Sequence, residues 1–443
     1  LDGVDLSNKD LTGVNLSGVD LSNKDLTGTI LTYATLLGAN LDGVDLSNKD
    51  LTGVNLSGVD LSNKDLTGVN LSGVDLSNKD LTGVNLSGVD LSNKDLTGTI
   101  LKDAKKIEIS VKNPSNSNWP NKALKELKNL NVTRYDLSGD VQYLATKEGF
   151  LFESKNNEPR LVLDLNNDAQ FPFSTNTREG GFLSIASQNN LVYVSYTTQD
   201  IDDSISLVVD EYSVNFTKVR NIIKIGGFKG LHYGGNLLFD SLGKLYLSVG
   251  DGSENSIYED HPQNLNDYRG KILRLDISDL KLEPEVVAYG IRNPWGVTID
   301  SKDRMFILQC GLSSIEGLYL LNDLYSGIPA NLGWPVFEGS KRMRNDPLMF
   351  NNILAPIFEA NIRPGCLTAG VYLEDIESFL FGDFYGTIRL LKQQENGEWY
   401  LFHEYKQENF IWGFGFDKKT GKIFVAPNNL ELEISVEQVK LNQ

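Results

Sequence analysis

The sequence contains few of the residues that build metal or disulfide frameworks. It has two cysteines, Cys310 and Cys366, which excludes a disulfide-rich scaffold and a Cys-rich zinc site. No run approaches the ~18 consecutive apolar residues of a membrane-spanning helix, which excludes an integral membrane protein of that kind. Positive charge is scarce, because 41 Lys and Arg stand against 59 Asp and Glu. The net charge of −18 argues against nucleic acid binding through a basic surface.

The N-terminal part of the chain is a repeat with a period of five. Leucine stands at every fifth position from Leu1 to Leu101. This period fits neither an α-helix nor a flat strand. It is typical of a coil with four five-residue sides, each directing one leucine to the axis, so residues 1–100 predict five coils that rise roughly 24 Å. The pattern resembles the pentapeptide-repeat family over residues 1–101, which implies a right-handed quadrilateral β-helix. Leu1 already lies inside the repeat, so no signal peptide is visible.

Lysine occupies an unusual position in this repeat, two residues before a repeat leucine, where the family has small inward-facing side chains. The positions are Lys9, Lys24, Lys49, Lys64, Lys79 and Lys94. A buried, unpaired ammonium group is costly. Either these groups reach solvent past a corner of the coil or the aspartate that follows each lysine pairs with it, and we expect the second.

The repeat predicts a rigid rod that spaces, docks or self-associates. Its 14 Asp and six Lys give a net charge of −8, which also permits mimicry of nucleic acid, a property of some pentapeptide proteins. An ordinary solvated acidic face explains the same charge and is the interpretation that we prefer.

The rest of the chain is rich in predicted strands. The sequence predicts domains at residues 1–106 and 131–443, joined by a junction at 107–130 with a short helix. In the second domain an apolar strand runs repeatedly into an Asp-led turn and a second apolar strand. Six copies lie at 149–154, 191–197, 236–250, 296–311, 379–391 and 413–427. A β-sandwich would have a similar number of strands, but the repeated hairpin favours a six-bladed β-propeller, so the predicted fold is all-β.

Polar residues that precede predicted strands are the candidates for chemistry, because a propeller presents such loops at the mouth of its channel. His232 lies between glycine-rich flanks, where a neutral imidazole could remove a proton from a hydroxyl group or could simply bind a loop carbonyl. Arg292 could donate to a carboxylate or a quinone oxygen, or form an ion pair between blades. Glu179 and Asp251 are single carboxylates, which more often anchor loops.

These clusters, in this order, resemble the glucose/sorbosone dehydrogenase family of soluble six-bladed propellers that use pyrroloquinoline quinone (PQQ) and calcium. The matching segments are 179–197, 232–252, 269–277, 289–300, 331–339 and 365–391, within a resemblance that covers about 131–430. The resemblance implies that His232 removes the proton of a sugar hydroxyl while hydride passes to the quinone. It also implies that Arg292 polarises the quinone oxygens and that Asn293 and Glu179 lie at the cofactor.

The sequence departs from the family pattern at several site positions. Leu231 replaces an aspartate that would orient the imidazole. Gln309 and Gly317 replace acidic residues, which leaves Glu316 as the candidate metal ligand of a weakened calcium site.

Anchors for the carboxylates of PQQ are less clear in this sequence. Arg363 and Arg389 are the candidates for these cofactor contacts. Leu373 stands where many relatives have an arginine.

The same family includes Hedgehog-interacting protein and its relatives, in which the propeller binds a protein. The sequence therefore supports two functions: a PQQ-dependent dehydrogenase of a sugar or similar substrate, or a degenerate propeller that acts as a structural or a protein- or glycan-binding module on a repeat rod. Cys310 and Cys366 could form a disulfide in an oxidising compartment or be small buried residues, and we favour burial. The resemblance to this family also implies a secreted or periplasmic localisation.

Overall fold

The structure is a computed structural model, and it describes most of residues 4–438. The gaps in this range are residues 67, 85, 87–88, 90, 92–98, 100–104, 113–131, 137–141, 156–157, 169–172, 176–178, 230, 254–259, 279–282, 313–314, 345–352, 362–365, 375–376, 395–396, 407–412, 418–421 and 427–429. The chain divides into two compact units, Leu1–Ser110 with Glu433–Gln443, and Val111–Leu432. The domain boundaries at residues 106 and 131 stay predictions, as does the short helix of the junction, which lies outside the described residues.

The N-terminal unit is a β-helix with coils of 20 residues. Parallel bridges join residues 20 apart, such as Asp10 to Ile30 and Asn15 to Thr35. Backbone hydrogen bonds flank these bridges, since the amide of Leu16 donates to the carbonyl of Thr35 over 2.7 Å and the amide of Thr35 donates to the carbonyl of Val14 over 2.9 Å. The period of five with four sides per coil is therefore confirmed.

Each side of a coil is a tight turn. The amide of Lys9 donates to the carbonyl of Leu6 over 3.3 Å, and Asn8 between them has a φ of 57°. A positive φ at the third residue is typical of a type II turn, which asparagine and glycine tolerate best. Asn or Gly stands two residues after the repeat leucines from residue 8 to residue 83 and meets this requirement, except at Tyr33, which has a φ of 59°.

The repeat leucines and the residues two before them form the core of the β-helix. Leu21, Leu51, Leu61, Leu66 and Leu81 have no exposed surface. Valine is buried two residues before a leucine, as at Val54 and Val84. Burial of one leucine per side contributes on the order of 2 kcal/mol, which explains why the leucine is invariant along the repeat.

The predicted pairing of each lysine with the following aspartate is wrong for the described residues. The carboxylate of Asp10 instead accepts from Thr12, and Asp50 does the same with Thr52. These bonds to a residue two positions later form a local turn that a nearby cation does not displace. Lys64 lies 4.0 Å from Asp42 of the preceding coil, and the buried Lys79 donates to the carbonyl of Leu56.

After the β-helix, the described strands form six sheets of four or five strands each, and one further two-stranded hairpin. The first contains β2 (Val132–Asp136), β3 (Gln142–Thr146), β4 (Phe150–Lys155) and β5 (Glu158–Asp164), followed by the one-turn helix α1 (Leu165–Asp168). The second contains β6 (Phe182–Gln188), β7 (Leu191–Gln199), β8 (Ile205–Ser213) and β9 (Lys218–Phe228). The third contains β10 (Gly234–Phe239), β11 (Leu245–Val249), β12 (Lys271–Leu275) and β13 (Glu285–Tyr289), with β17 (Ala330–Asn331) parallel to β13.

The remaining sheets follow the same plan. The fourth contains β14 (Pro294–Ile299), β15 (Met305–Gln309), β16 (Ile315–Leu321) and β20 (Phe358–Asn361), with the hairpin of β18 (Phe337–Glu338) and β19 (Lys341–Arg342) inserted between the last two. The fifth contains β21 (Leu367–Leu373), β22 (Ser378–Asp383), β23 (Thr387–Gln393) and β24 (Trp399–Lys406). The sixth has the order β1-β27-β26-β25, with β1 (Lys105–Lys112), β25 (Gly413–Asp417), β26 (Lys422–Ala426) and β27 (Leu430–Gln438).

The first strands of successive sheets form a closed ring. Contacts run from β2 to β6, β10, β14, β21 and β25, and from β25 back to β2. Six sheets arranged radially around one axis are a six-bladed β-propeller, so this prediction is confirmed. No helix among the described residues is long and apolar enough to cross a membrane.

The Asp-led turns of the sequence have one recurring geometry. The carboxylate of Asp240 accepts the amides of the residues two and four positions later, over 3.0 and 2.8 Å. Asp300 and Asp383 repeat this arrangement in the next two blades. Asp240 and Asp300 therefore cap the turn between the first two strands of their blades, whereas Asp383 caps the turn between the second and third strands of its blade.

Candidate functional site

Three neighbouring blades bring the predicted residues to one end of the ring. Glu179 precedes β6, His232 precedes β10, and Arg292 and Asn293 precede β14, which are the first strands of the second, third and fourth blades. Contacting inner strands that start at the same mouth place these residues together.

His232 is held from two sides and is 4% exposed. Its backbone amide donates to Oε2 of Glu179 over 2.8 Å, and its Nδ1 lies 2.8 Å from Oδ1 of Asp251. A carboxylate only accepts hydrogen bonds, so Nδ1 carries the hydrogen and Nε2 is the atom of the ring that can accept a proton. The arrangement is that of an oriented general base.

The backbone around His232 is unusual, and glycines make it possible. His232 has a φ of 57°, in the left-handed region that few side chains adopt. Gly234 has a φ of 69°, and a Cβ on Gly250 would collide with the carbonyl oxygen of His232. The glycine-rich flanks therefore allow the close approach of the β10 and β11 ends, and strain at the histidine is typical of a functional position.

Asp251 is the hub of the site and is 1% exposed. Besides His232, its carboxylate accepts from Nε1 of Trp334 over 2.9 Å. Its amide donates to the carbonyl of Arg292 over 2.7 Å, and its carbonyl accepts from Nε2 of His261 over 2.6 Å. The sequence interpretation of Asp251 as a loop anchor missed that this residue also orients the imidazole.

The guanidinium of Arg292 is buried, with 6% of the residue exposed. Its Nη1 donates to the carbonyls of Cys310 and Gly311 over 3.2 and 2.7 Å, and its Cζ lies 5.5 Å from the centre of the Trp334 ring. Burial lowers the pKa of Arg292, although nearby carboxylates oppose that change. The group remains a cation, since arginine does not lose its proton in proteins.

The cation is surrounded by acids. The carboxylates whose charge acts on Arg292 belong to Asp251, Glu316, Glu179 and Glu338. Burial raises the pKa of Glu316 to about 8, so that group is protonated at neutral pH. Three negative charges and one positive charge remain, and the site has surplus negative charge.

Asn293 completes this set. Its Nδ2 donates to Oε2 of Glu179 over 3.3 Å, and its carbonyl accepts the amide of Cys310 over 2.9 Å. Glu179 thus binds both His232 and Asn293, which are 61 residues apart in the chain. The structure brings together four predicted site residues, His232, Arg292, Asn293 and Glu179.

Two family models match the chain. Residues 144–352 match the model of the Glucose / Sorbosone dehydrogenase family. Residues 10–48, 50–88 and 80–105 match the Pentapeptide repeats model. The chain is therefore similar to both families, each over its own part of the sequence.

Proteins similar to the propeller include, by name, an aldose sugar dehydrogenase of Escherichia coli and a Hedgehog-interacting protein. HIPL1 protein of Arabidopsis thaliana is 31% identical over 150 residues, which are 28% of this chain and 21% of that protein. Hedgehog-interacting protein of Homo sapiens is 28% identical over 158 residues, 28% of this chain and 23% of that protein. The chain thus spans between a fifth and a quarter of the length of these relatives.

Solved structures share the propeller fold of this chain. The PQQ-bound form of an aldose sugar dehydrogenase from Streptomyces coelicolor aligns with a TM-score of 0.55 and 17% identity. The alignment covers 74% of this chain and 99% of that chain. At this identity the likeness concerns the fold.

Two residues predicted to contact the cofactor are not part of the described cluster. Arg389 lies on β23, where it contacts Asp383 and Glu404 of its own blade, each over 2.8 Å. Arg363 lies outside the described residues.

The positions that depart from the family pattern have structural partners. Gln309 accepts the amide of Arg292 over 3.1 Å. A Cβ on Gly317 would lie 2.6 Å from the Tyr319 ring, so a larger residue has no room there. The concern that Leu231 leaves the imidazole without an orienting group is resolved by Asp251.

The expectation that the two cysteines are unpaired is wrong. Cys310 and Cys366 form a disulfide with a Cα–Cα distance of 4.9 Å. The carboxylate of Glu316 lies with both sulphur atoms in a group whose members are within 4.8 Å of one another. Sulphurs that are bonded to each other offer no thiolate to a metal, so this group is a poor metal site, and the prediction of Glu316 as a metal ligand gains no support from it.

Proposed function

We propose that the domain is a PQQ-dependent oxidoreductase that oxidises a hydroxyl group of a sugar or a similar substrate. The observation that carries the proposal is the 2.8 Å contact between His232 and Asp251. Asp251 fixes the tautomer in which Nε2 accepts the substrate proton, and it stabilises the imidazolium that results. A base of this kind contributes about 10²–10⁴-fold to the rate.

The residues at the mouth fit the quinone end of PQQ. When bound, PQQ supplies the acceptor for the two electrons that leave the substrate as hydride. Arg292 and Asn293 would hold it through their N–H donors, since quinone oxygens accept hydrogen bonds. Glu179 fixes Asn293 and the His232 amide, so the base and the cofactor contacts share one support.

The carboxylate end of PQQ needs a cation that the described residues do not supply. PQQ is an acid with three carboxylates, and the site already has surplus negative charge around Arg292. Anions do not gather in a poorly solvated site without compensation. Calcium, which takes oxygen ligands, would offset this charge, and we therefore propose that PQQ binds only together with Ca²⁺.

The test is a calorimetric titration of the full chain with PQQ, with Ca²⁺ and with a chelator, followed by dye reduction with a panel of aldoses. We expect saturable PQQ binding that depends on Ca²⁺, and aldose-dependent reduction. His232→Ala should keep PQQ binding and lose reduction. Lys302→Ala, at a side chain that is 59% exposed on a distant turn, serves as the matched control and should change neither.

A second function is favoured by the relatives and by the surplus of acids. The relatives include Hedgehog-interacting protein, whose name describes a protein partner. In this alternative the propeller is a binding module, and the pentapeptide repeats display it or associate with a second copy. Failure of PQQ to bind in the presence of Ca²⁺ would contradict the dehydrogenase and support the binding module.

We also propose that the protein works in a secreted or periplasmic location. The Cys310–Cys366 disulfide supports this, because such bonds persist mainly in oxidising compartments. Fractionation of cells that express the natural gene would test it, and recovery from the reducing cytosol would contradict it.

A further inference from the structure

The disulfide joins two blades at the acceptors of the arginine. Cys310 follows β15 of the fourth blade, and Cys366 precedes β21 of the fifth. The Cys310 carbonyl accepts from Arg292, and the Cys310 amide donates to the carbonyl of Asn293. The covalent link therefore lies within one residue of the backbone that holds the guanidinium of Arg292 and the backbone carbonyl of Asn293.

A buried acid lies against this disulfide. Glu316 is 2% exposed, and one of its carboxyl oxygens is within 4.8 Å of both sulphurs. Its Oε2 accepts the amide of Gly311 over 3.1 Å, so the acid is fixed to the residue after Cys310. Burial raises its pKa, which keeps a proton available at neutral pH.

We propose that Cys310–Cys366 is a reducible switch on the Arg292 site, with a dithiol as its reductant and Glu316 as the proton donor to the departing sulphur. The proposal concerns the hydrogen bonds that fix the guanidinium of Arg292, and it does not depend on the dehydrogenase function.

The reduction is an ordinary thiol–disulfide exchange. One thiol of the reductant loses its proton to water, and the thiolate attacks Sγ of Cys366, which is less buried than Cys310. The bond between the two protein sulphurs breaks, and the Cys310 sulphur leaves with its electron pair and takes the proton of Glu316. The second thiol of the reductant then displaces Cys366. The reductant departs as its disulfide, both cysteines end as thiols, and water restores the Glu316 proton.

Reduction removes the covalent tie between the Cys310–Gly311 segment and the fifth blade. The two carbonyls that accept from Arg292 belong to this segment, so its release loosens the guanidinium. A crosslink between residues 56 positions apart also restricts the unfolded chain, so its loss is expected to lower the free energy of unfolding.

The test uses the full chain with dithiothreitol as the dithiol, in the absence of oxygen. Free thiols are counted by alkylation and mass spectrometry. The reactivity of Arg292 toward phenylglyoxal is read on its peptide, with Arg274 of the third blade as the internal control. We expect Arg292 to react severalfold faster after reduction and Arg274 to be unchanged. The double variant Cys310→Ser with Cys366→Ser should match the reduced protein without dithiothreitol.

The proton donor is tested by Glu316→Gln. We expect its disulfide to be reduced about tenfold more slowly than the wild type, or slower still. Glu359→Gln, the same change on the neighbouring strand β20, should leave the rate unchanged. Equal rates for Glu316→Gln and the wild type would overturn the role of Glu316, and unchanged Arg292 labelling on reduction would overturn the switch.

Discussion

Nδ1 of His232 lies 2.8 Å from Oδ1 of Asp251, although the two residues are 19 positions apart. Strands β10 and β11 explain this contact. They are antiparallel, and Gly234 lies opposite Val249. His232, two residues before Gly234, and Asp251, two residues after Val249, therefore meet beyond the open end of the hairpin. The hairpin thus places the carboxylate of Asp251 against the imidazole of His232, and Gly250 leaves room for the two backbone segments to approach each other.

The first prediction concerns Asp251. In Asp251→Asn the amide can donate to Nδ1, which places the imidazole hydrogen on Nε2 and prevents it from accepting a proton. We expect aldose-dependent dye reduction to fall about 10²-fold or more, with PQQ binding largely kept. The measurement is steady-state kinetics with Ca²⁺, with circular dichroism as the check on the fold. Activity close to the wild type would show that the pair is structural.

The second prediction uses two variants of Glu179. A glutamine still accepts the His232 amide but removes one negative charge from the surroundings of Arg292. Glu179→Gln should therefore bind PQQ severalfold more tightly. Glu179→Ala removes the same charge but leaves the His232 amide and Asn293 without this acceptor, so it should bind no more tightly than the wild type. Calorimetric titration in Ca²⁺ compares them, and equal affinities for the two variants would contradict this explanation.

Much of the fold could be predicted from local pattern. Leucine at every fifth position requires a four-sided coil, and its burial follows from the geometry of the turns. The copies at 236–250, 296–311 and 413–427 each fall on the first two strands of a blade, because an Asp-capped turn depends on neighbouring residues alone. The leucine period and the Asp-led hairpin each occur many times along the chain, so both can be detected in a single sequence.

The site was harder to predict because its contacts cross between hairpins. His232 and Arg292 were recognised from their glycine and proline flanks, but the role of Asp251 required the register of β10 and β11. The disulfide depends on the approach of two blades, which no local pattern encodes. The predicted lysine–aspartate pairing was wrong because a more local contact replaces it. The carboxylates of Asp10 and Asp50 accept from the residue two positions later and do not pair with the preceding lysine.

The third prediction is a pH dependence of stability. Burial raises the pKa of Glu316 from 4.5 to about 8. The folded chain then keeps a proton over a range in which the unfolded chain has released it, so the free energy of unfolding falls as pH rises from about 5 to 8, by up to about 1.4 kcal/mol per pH unit. Glu316→Gln lacks this contribution. Urea denaturation of both proteins at several pH values should show curves that converge or cross as pH rises, whereas parallel curves would contradict the assignment.

The fourth prediction concerns the β-helix. Lys79 is 8% exposed, its ammonium group donates to the carbonyl of Leu56, and burial lowers its pKa. That carbonyl also accepts the amide of Val59 over 3.0 Å, so it keeps a partner when the lysine is removed. Valine suits this position, since Val59 lies directly below it one coil earlier and is 5% exposed. Lys79→Val removes the cost of burying an ammonium group, and we expect it to stabilise the surrounding coils by about 1 kcal/mol.

Hydrogen exchange of the full chain measures this effect locally. Amides of residues 76–81 should exchange more slowly in Lys79→Val than in the wild type. Lys9→Val, at a lysine that is exposed, is the matched control and should leave these amides unchanged. Faster exchange in Lys79→Val would mean that the bond from the ammonium group to Leu56 stabilises the coil by more than its burial costs, and that the lysines of the repeat are structural links between coils.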